Sequence, residues 1–360
     1  ATAISEGLTM FWSAHEAETA FRAKLVDALH GVLPDECILT NPAAMVESAT
    51  DATDLRMELP LLVVEPDNTE QVAELVKLAN DMKFALIPRG GGSGMTGGAV
   101  PARKRTVIVS LTRLTRIGPV DLEAMTVTCQ AGAITQAVIN AVDTEGALFS
   151  VDPASKQAST IGGNISENAG GPSAFEYGTT LDNLLWWRMV TPTGEIITVE
   201  RENHPRHKIL PDETAVFVVK DVSGGVRNVV HLRGDEIRLP GLGKDVTNKV
   251  LGGLPGMQKE GVDGIITEAC FIVHPKPKYS RVMVLEFFGR SMHPAAVVVR
   301  ELVALRNRIR QEGDYAHLSA MEEFNAKYVQ AIEYKRKSEK YEGSPISVII
   351  LQVDGDDPYL

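Results

Sequence analysis

The 360-residue sequence predicts an α+β protein made of two glycine-rich units and a glycine-poor segment behind them. Three observations carry this prediction. Short β-type runs alternate with helical periods between residues 61 and 147. Two separate glycine tracts, at 88–98 and 152–178, interrupt the pattern. After Pro277 the glycines nearly vanish, and strand and helix signals return in the order β-α-α-β.

The elements follow in order. Residues 13–30 read as a helix, with Phe21, Leu25, Ala28 and Leu29 on one face and Gly31 as its stop. Residues 31–60 read as loop. Leu61-Leu62-Val63-Val64 reads as a buried strand. Asn68 or Thr69 caps a helix with Val72, Leu75, Val76, Ala79 and Met82 at helical spacing. A strand at 84–88 runs into the first glycine tract and a strand at 107–111 leaves it. Residues 125–131 alternate as a strand, and 133–145 read as a helix ending at Gly146. After the second tract, a strand from Met189 to Ile197 closes the unit. Residues 201–243 are polar and irregular, apart from a hairpin of 215–220 with 226–232 around Ser223-Gly224-Gly225. Residues 261–269 return to a buried strand. A strand at 282–288, helices at 294–310 and 321–335, and a strand at 346–352 form half of a separate α+β domain. The expected boundaries are 1–60 (helix and loop), 61–277 (subdomains 61–147 and 148–277) and 278–360 (a partial further domain).

Composition sets limits. The chain is 44% apolar and 23% charged, ordinary for a globular protein. No apolar run approaches the roughly 18 residues of a membrane span. The net charge of −11 comes without a Lys/Arg block, which argues against a nucleic-acid partner. Cys37, Cys129 and Cys270 are isolated, so neither a disulfide framework nor a four-thiolate iron–sulfur cluster is expected within this chain. The expected compartment is the cytoplasm, or the cytoplasmic face of a membrane reached through a partner. The chain begins with Ala and ends near a strand signal, as a piece of a longer polypeptide would.

The first tract is Pro88-Arg89-Gly90-Gly91-Gly92-Ser93-Gly94-Met95-Thr96-Gly97-Gly98, six glycines in eleven residues. Such density lets backbone N–H groups converge closely on an anion, and points to a phosphate-bearing cofactor. Gly92, Gly94 and Gly97 spell G-x-G-x-x-G, but that fingerprint requires a helix next. Here Pro101 and then a strand follow, so a nicotinamide-type Rossmann site is disfavoured. No G-K-[ST] closes the loop, so it is not a Walker A motif either. The second tract runs Asp152-Pro153-Ala154-Ser155, Thr160-Ile161-Gly162-Gly163-Asn164, Asn168-Ala169-Gly170-Gly171 and Tyr177-Gly178. Two such tracts suit a ligand longer than a mononucleotide.

Together these residues resemble the FAD-binding domain of the vanillyl-alcohol oxidase/p-cresol methylhydroxylase (PCMH) type, and most closely the glycolate oxidase/D-lactate dehydrogenase branch of FAD-linked oxidases. The family's P-R-G-G-G-[ST]-[GS]-x-x-G-G is matched at 88–98. Its D-P-x-S…T-I-G-G-N…N-A-G-G…Y-G is matched at 152–178, and its G-I-I-T-E-A at 264–269. Glu260-Gly261 falls where the family has S-E-G. Lys244-Asp245-Val246-Thr247-Asn248 resembles K-D-x-T-G-Y without its Gly-Tyr. The stretch 252–261 resembles the subgroup fused to iron–sulfur modules.

The resemblance implies a two-subdomain PCMH-type FAD-binding domain followed by the start of a ferredoxin-like cap domain. It implies FAD, with the pyrophosphate on the N–H groups of Gly90, Gly91, Gly92, Ser93 and Gly94 and with Ser93 and Thr96 as hydroxyl donors. Ser155, Thr160, Gly162, Gly163, Ala169 and Gly170 would line the flavin, and Ile265 or Ile266 the adenine. Pro88, Arg89, Met95, Pro153, Asn168, Gly171, Tyr177, Gly178 and Gly264 complete the implied cofactor set. Covalent members often carry a His in the glycine loop. Gly92-Ser93 stands there in this chain, so noncovalent FAD is expected.

The implied reaction is oxidation of a 2-hydroxy acid such as D-lactate or glycolate. Hydride passes to flavin, and electrons to an iron–sulfur or quinone acceptor; an oligomer is compatible with this. The alternatives are a noncatalytic flavin-binding subunit, or an NADPH-using reductase like the enolpyruvyl-glucosamine reductases. No catalytic base can be carried over, because the family's late H-x-G-D-G-N-x-H segment is missing. Asp354-Gly355-Asp356-Asp357 reads as a loop. Lys244 is the local candidate for a charge near the flavin, against a solvated lysine. Pro205 speaks against a metal pair at His204 and His207. Trp186 and Trp187 read as packing residues, and Arg89 as a brace for the loop. Met95 either faces the flavin or covers it.

Overall fold

The computed structural model describes residues 2–53, 58–239, 246–313 and 316–358, with side chains from residue 16 onward. Helix α1 (Thr2–Leu29) starts earlier than its periodicity suggests and buries Leu25 and Leu29. The stretch expected as loop holds a two-residue strand, β1 (Ile38–Leu39), and a helix, α2 (Pro42–Glu47). The Asn41 side chain caps α2, accepting from the Ala44 amide at 2.9 Å. Both elements are too short to show a period, so the sequence hides them.

The first sheet is built from β1, β2 (Leu62–Val64), β3 (Ala85–Arg89) and β4 (Thr106–Ser110), in the order β1-β2-β4-β3. β2 and β3 both run parallel to β4. Helix α3 (Thr69–Met82) joins β2 to β3 and packs Val72, Leu75, Val76 and Ala79 inward. Asn68 caps it, accepting from the Gln71 amide at 2.8 Å. The connection from β3 to β4 is the glycine loop itself, with no helix in it. That excludes the Rossmann arrangement on structural grounds.

β5 (Thr126–Gln130), α4 (Thr135–Thr144) and β6 (Ala147–Leu148) come next. The second tract folds into three short helices, α5 (Ile161–Glu167), α6 (Ala174–Tyr177) and α7 (Thr180–Asn183). The strand expected from Met189 to Ile197 is really a hairpin. β7 (Leu184–Val190) and β8 (Ile196–Glu202) turn at Thr191-Pro192-Thr193-Gly194, where Gly194 has φ +82°. The expected second hairpin forms as β9 (Thr214–Asp221) and β10 (Val226–Arg233), followed by α8 (Gly234–Ile237). β11 (Ile265–Ile272) and β12 (His274–Pro275) end this half, and β12 pairs with β6. The second sheet is antiparallel, in the order β10-β9-β8-β7-β11-β5. β5 therefore pairs with β11, not with the α/β unit that precedes it in sequence.

Both sheets share one hydrophobic core running from Leu25 to Val273. Trp187 sits within it, edge-on to Phe217 at 5.9 Å, and donates its indole N–H to the Pro255 carbonyl at 3.1 Å. Trp186 and Trp187 both lie on β7, where Trp187 packs in the core and Trp186 is half-buried.

The last segment is β13 (Tyr279–Phe287), α9 (His293–Glu312), β14 (Ala316–Asn325), α10 (Ala326–Ala331) and β15 (Ser347–Gly355). Its sheet order is β13-β15-β14. The expected helix at 321–335 is thus strand over its first five residues, helix over Ala326–Ala331 and turn beyond. Ala320, Met321, Glu322 and Glu323 favour helix locally, but ladder pairing with β15 overrides that preference. The expected loop at Asp354-Gly355 is the end of β15. A small second core of Phe175, Ile309, Leu318 and Leu351 joins this sheet to α6.

Candidate cofactor site

The two glycine tracts meet across a cavity of about 240 Å3. β3 delivers the first tract to one wall, and the turn before α5 forms the other. That turn is held from behind: Thr135 donates to the Ser159 carbonyl at 3.0 Å, and Asn164 donates to the Thr135 hydroxyl at 2.8 Å. Thr160 caps α5, its hydroxyl accepting from the Gly163 amide at 3.4 Å.

Many of the expected residues line this cavity: Pro88, Gly90, Gly91, Gly92, Ser93, Gly94 and Met95 from the first tract, and Ser155, Thr160, Gly162, Gly163 and Ala169 from the second. Gly264 and Ile266 close the floor, whereas Ile265 points to the other face of β11. Met95 is 79% exposed and lies over the rim.

Other expected residues turn elsewhere. Arg89 stays outside, its guanidinium donating to the Ala99 carbonyl at 3.3 Å beneath the loop. Pro153 opens the turn behind Ser155, its carbonyl accepting from the Lys156 amide at 2.9 Å. Asn168 ties the tract to its neighbours, accepting from the Leu181 amide at 2.9 Å and donating to Gln258 at 3.2 Å. Gly170 packs toward Ala174 and Thr179, Gly171 toward Asp152, and Gly178 toward Asp182. Tyr177 lines a different cavity. Lys244 lies outside the described residues. His204 and His207 part company: His204 bonds the Asp182 carbonyl at 2.8 Å, and His207 pairs with Glu213 at 3.3 Å.

The reason for glycine at position 91 differs from the expectation. A Cβ there would overlap the Ala158 carbonyl, so the loop seats directly on the opposite wall. The close approach is protein to protein, and it shapes the cavity before any ligand enters. Gly162 is similarly engaged, since its amide donates to the Ala131 carbonyl at 2.8 Å.

The donor set that remains suits a diphosphate. Among the described residues, the amides of Gly91, Gly92, Ser93 and Gly94 donate to no protein group. Ser93, Ser155 and Thr160 add hydroxyls. Two acids outside the expected cofactor set also line the cavity: Glu167, which the sequence did not flag, and Glu260, noted there only for its motif position. Thr96 donates to Glu260 at 2.5 Å and stands 3.4 Å from Glu167. Burial and the neighbouring Glu260 push the Glu167 carboxyl up. Glu167 immediately precedes the Asn168-Ala169-Gly170-Gly171 run, and only that adjacency could have flagged it. The residues present therefore fit FAD.

Comparison with known proteins agrees with this geometry. Residues 60–200 match the family model described as an FAD binding domain. The chain is 28% identical over 256 residues to glycolate oxidase subunit GlcD of Bacillus subtilis, covering 71% of this chain and 45% of that protein. It is 36% identical over 172 residues to D-2-hydroxyglutarate dehydrogenase of Xanthomonas citri pv. viticola, covering 47% of this chain and 36% of that protein. It therefore spans less than half of these relatives' length. Among solved structures, alkyldihydroxyacetonephosphate synthase superposes with TM-score 0.62 at 20% identity, over 92% of this chain and 56% of that one. p-Cresol methylhydroxylase superposes with TM-score 0.61 at 14% identity, over 94% and 61%. Those two show the fold alone.

The fold is the one shared with p-cresol methylhydroxylase, and residues 60–200 form an FAD binding domain. Over this region the chain is similar to FAD-linked oxidases such as glycolate oxidase subunit GlcD and D-2-hydroxyglutarate dehydrogenase.

Proposed function

We propose that this protein is an FAD-linked oxidoreductase that oxidises a 2-hydroxy acid of the D-lactate or glycolate class and passes electrons to an iron–sulfur or quinone acceptor. The observation that carries the reading is the cavity between the two glycine tracts, with its unbonded amides at 91–94. The names of the relatives, glycolate oxidase and D-2-hydroxyglutarate dehydrogenase, support the substrate class. Bound FAD supplies the hydride acceptor.

In this reading the chain's own residues bind and orient. The amides of the first tract hold the diphosphate, and Thr160 and Ser155 offer hydroxyls along the second tract. Ile266 gives the floor an apolar wall. Thr96, fastened to Glu260, pins the loop over its contents. The cavity lining contains no histidine, cysteine or tyrosine among the described residues, which supports noncovalent attachment.

Purified full-length protein should show the yellow flavin absorption bands, and anaerobic addition of one 2-hydroxy acid from a panel should bleach them. Absence of flavin, or bleaching by NADPH but by no hydroxy acid, would overturn the proposal.

A further inference from the structure

Helix α6 belongs to two parts of the molecule at once. By sequence it follows the Asn168-Ala169-Gly170-Gly171 run of the second tract, and Ala169 lines the cofactor cavity. By packing, its Phe175 side chain sits in the small core with Ile309, Leu318 and Leu351. Among the described residues, every hydrogen bond between the segment 278–360 and the rest of the chain comes from Arg306 or Arg310 of α9 and ends on α6. Arg306 donates to the Phe175 carbonyl at 2.7 Å and lies 4.4 Å over the Phe175 ring. Arg310 donates to the Glu176 carboxylate at 2.8 Å and also to the Glu176 carbonyl. We propose that Arg306 and Arg310 are positioning residues for the cofactor: by holding α6 they set the wall at Ala169-Gly170, and the sheet of β13 to β15 reaches the bound flavin through these two side chains. The inference rests on FAD filling the cavity and adds a control on its wall.

The path from arginine to cavity is short. The Gly171 carbonyl accepts from the Ala174 amide at 3.0 Å, so α6 starts on the tract itself. A Cβ on Gly170 would lie 3.3 Å from the Ala174 Cβ and 3.3 Å from the Thr179 methyl, so the run is wedged between the start of α6 and the turn after it. The Ala169 carbonyl accepts from the Thr180 amide at 3.0 Å and from the Thr180 hydroxyl at 2.8 Å. Those bonds close a loop whose content is α6, so a displaced α6 pulls on Ala169 from both ends.

A helix of four residues does not hold its shape alone. Each carbonyl of α6 instead takes a side-chain donor from elsewhere. Lys208 serves Ala174 at 3.3 Å and Asn183 serves Tyr177 at 3.1 Å, both from the FAD-binding half. Arg306 serves Phe175 and Arg310 serves Glu176, both from the terminal segment. The two arginines differ in what their loss leaves behind. The second carboxylate oxygen of Glu176 is buried without a partner, so Arg310 alone compensates that charge among the described residues. Arg306 forms no ion pair among the described residues, and its removal strands no carboxylate.

FAD titration of the full chain, read by flavin fluorescence and by the visible circular dichroism of the bound flavin, tests this. Arg306→Gln should weaken FAD about tenfold, the loss of one hydrogen bond from a charged group, and should change the dichroism. Arg306→Lys should restore most of both. Val329 is buried on α10 and makes no bond to α6, so Val329→Ala loosens the same segment and should leave affinity and dichroism close to wild type. Gly170→Ala presses on Ala174 from the opposite side, so combined with Arg306→Gln it should cost less than the sum of the two. Wild-type values in Arg306→Gln, equal losses in Val329→Ala, or strict additivity of the pair overturns the proposal. Failure of the FAD reading looks different, because wild type itself would then take up no flavin. Failure of the oxidation reading leaves these affinities intact while no hydroxy acid bleaches the flavin.

Discussion

Thr96 and Glu260 lie 164 positions apart in sequence, yet the Thr96 hydroxyl donates to the Glu260 carboxylate at 2.5 Å. This bond fastens the tip of the glycine loop to the segment that leads into β11. Without it the loop loses its anchor, and two carboxylates face the diphosphate with one donor fewer. Thr96→Val should raise the dissociation constant for FAD about tenfold, for the loss of a hydrogen bond to a charged group worth about 1.5 kcal/mol. Quenching of FAD fluorescence on titration reads this directly. An unchanged constant would show that the fastening is incidental.

Gly91 seats the loop on the Ala158 carbonyl. Gly91→Ala should push the two walls apart, at about 1–3 kcal/mol for an overpacked contact, and the purified protein should carry little flavin. Gly224 has nothing within 4 Å of an added Cβ, so Gly224→Ala meets only its φ of +84°. Flavin content measured after gel filtration should separate the two variants. Equal content would mean that the loop tolerates displacement.

His204 and His274 both have their imidazoles pushed down to about 4 by burial, with Arg201 and Arg206 adding to the shift for His204 and Arg206 for His274. An unfolded histidine titrates near 6.5. Between these values the unfolded chain binds protons that the folded chain refuses, so stability must fall as pH drops from about 6.5 to about 4. The size is on the order of 3 kcal/mol for each residue over the whole window. Urea midpoints at pH 7 and pH 5 should differ accordingly. The double variant His204→Asn/His274→Gln should flatten the slope, and an undiminished slope would refute the assignment.

Asp182 has no exposed side-chain surface and is paired with Arg238. Burial alone would raise its carboxyl, but Arg238, Lys208 and the Ile209 amide together hold it below the usual carboxylate range. Arg238→Met leaves that charge buried without its main partner, at about 3–5 kcal/mol. The melting temperature should drop sharply. Adding Asp182→Asn should recover part of the loss, and a strictly additive double variant would mean the pair is not coupled.

The legible parts of the chain were those where local rules and tertiary structure agree. Asn68 announced α3, the run at 84–88 announced β3, and Ser223-Gly224-Gly225 announced the β9–β10 hairpin. The strand-loop-strand order around 88–98 was enough to reject a Rossmann site. What stayed hidden had no local signature. Ala320 to Glu323 favour helix and became strand through pairing with β15. The cavity's composition was readable because glycines and hydroxyls cluster in sequence. Glu167 and Glu260 were missed as a pair because only folding brings them to Thr96. Gly171 and Gly178 look like cofactor glycines in a motif, yet they serve turns behind it.

The pairing of β5 with β11 also governs how this molecule can come apart. The polypeptide leaves the parallel sheet, lends its next strand to the neighbouring one, and only then enters the second tract. The two halves are stitched, with a single shared thread crossing the cleft. A cut near residue 148 would strip the larger sheet of its terminal strand and uncover the backbone edge of β11. Proteolytic nicking there should collapse both walls together, so flavin release and loss of secondary structure should follow one time course.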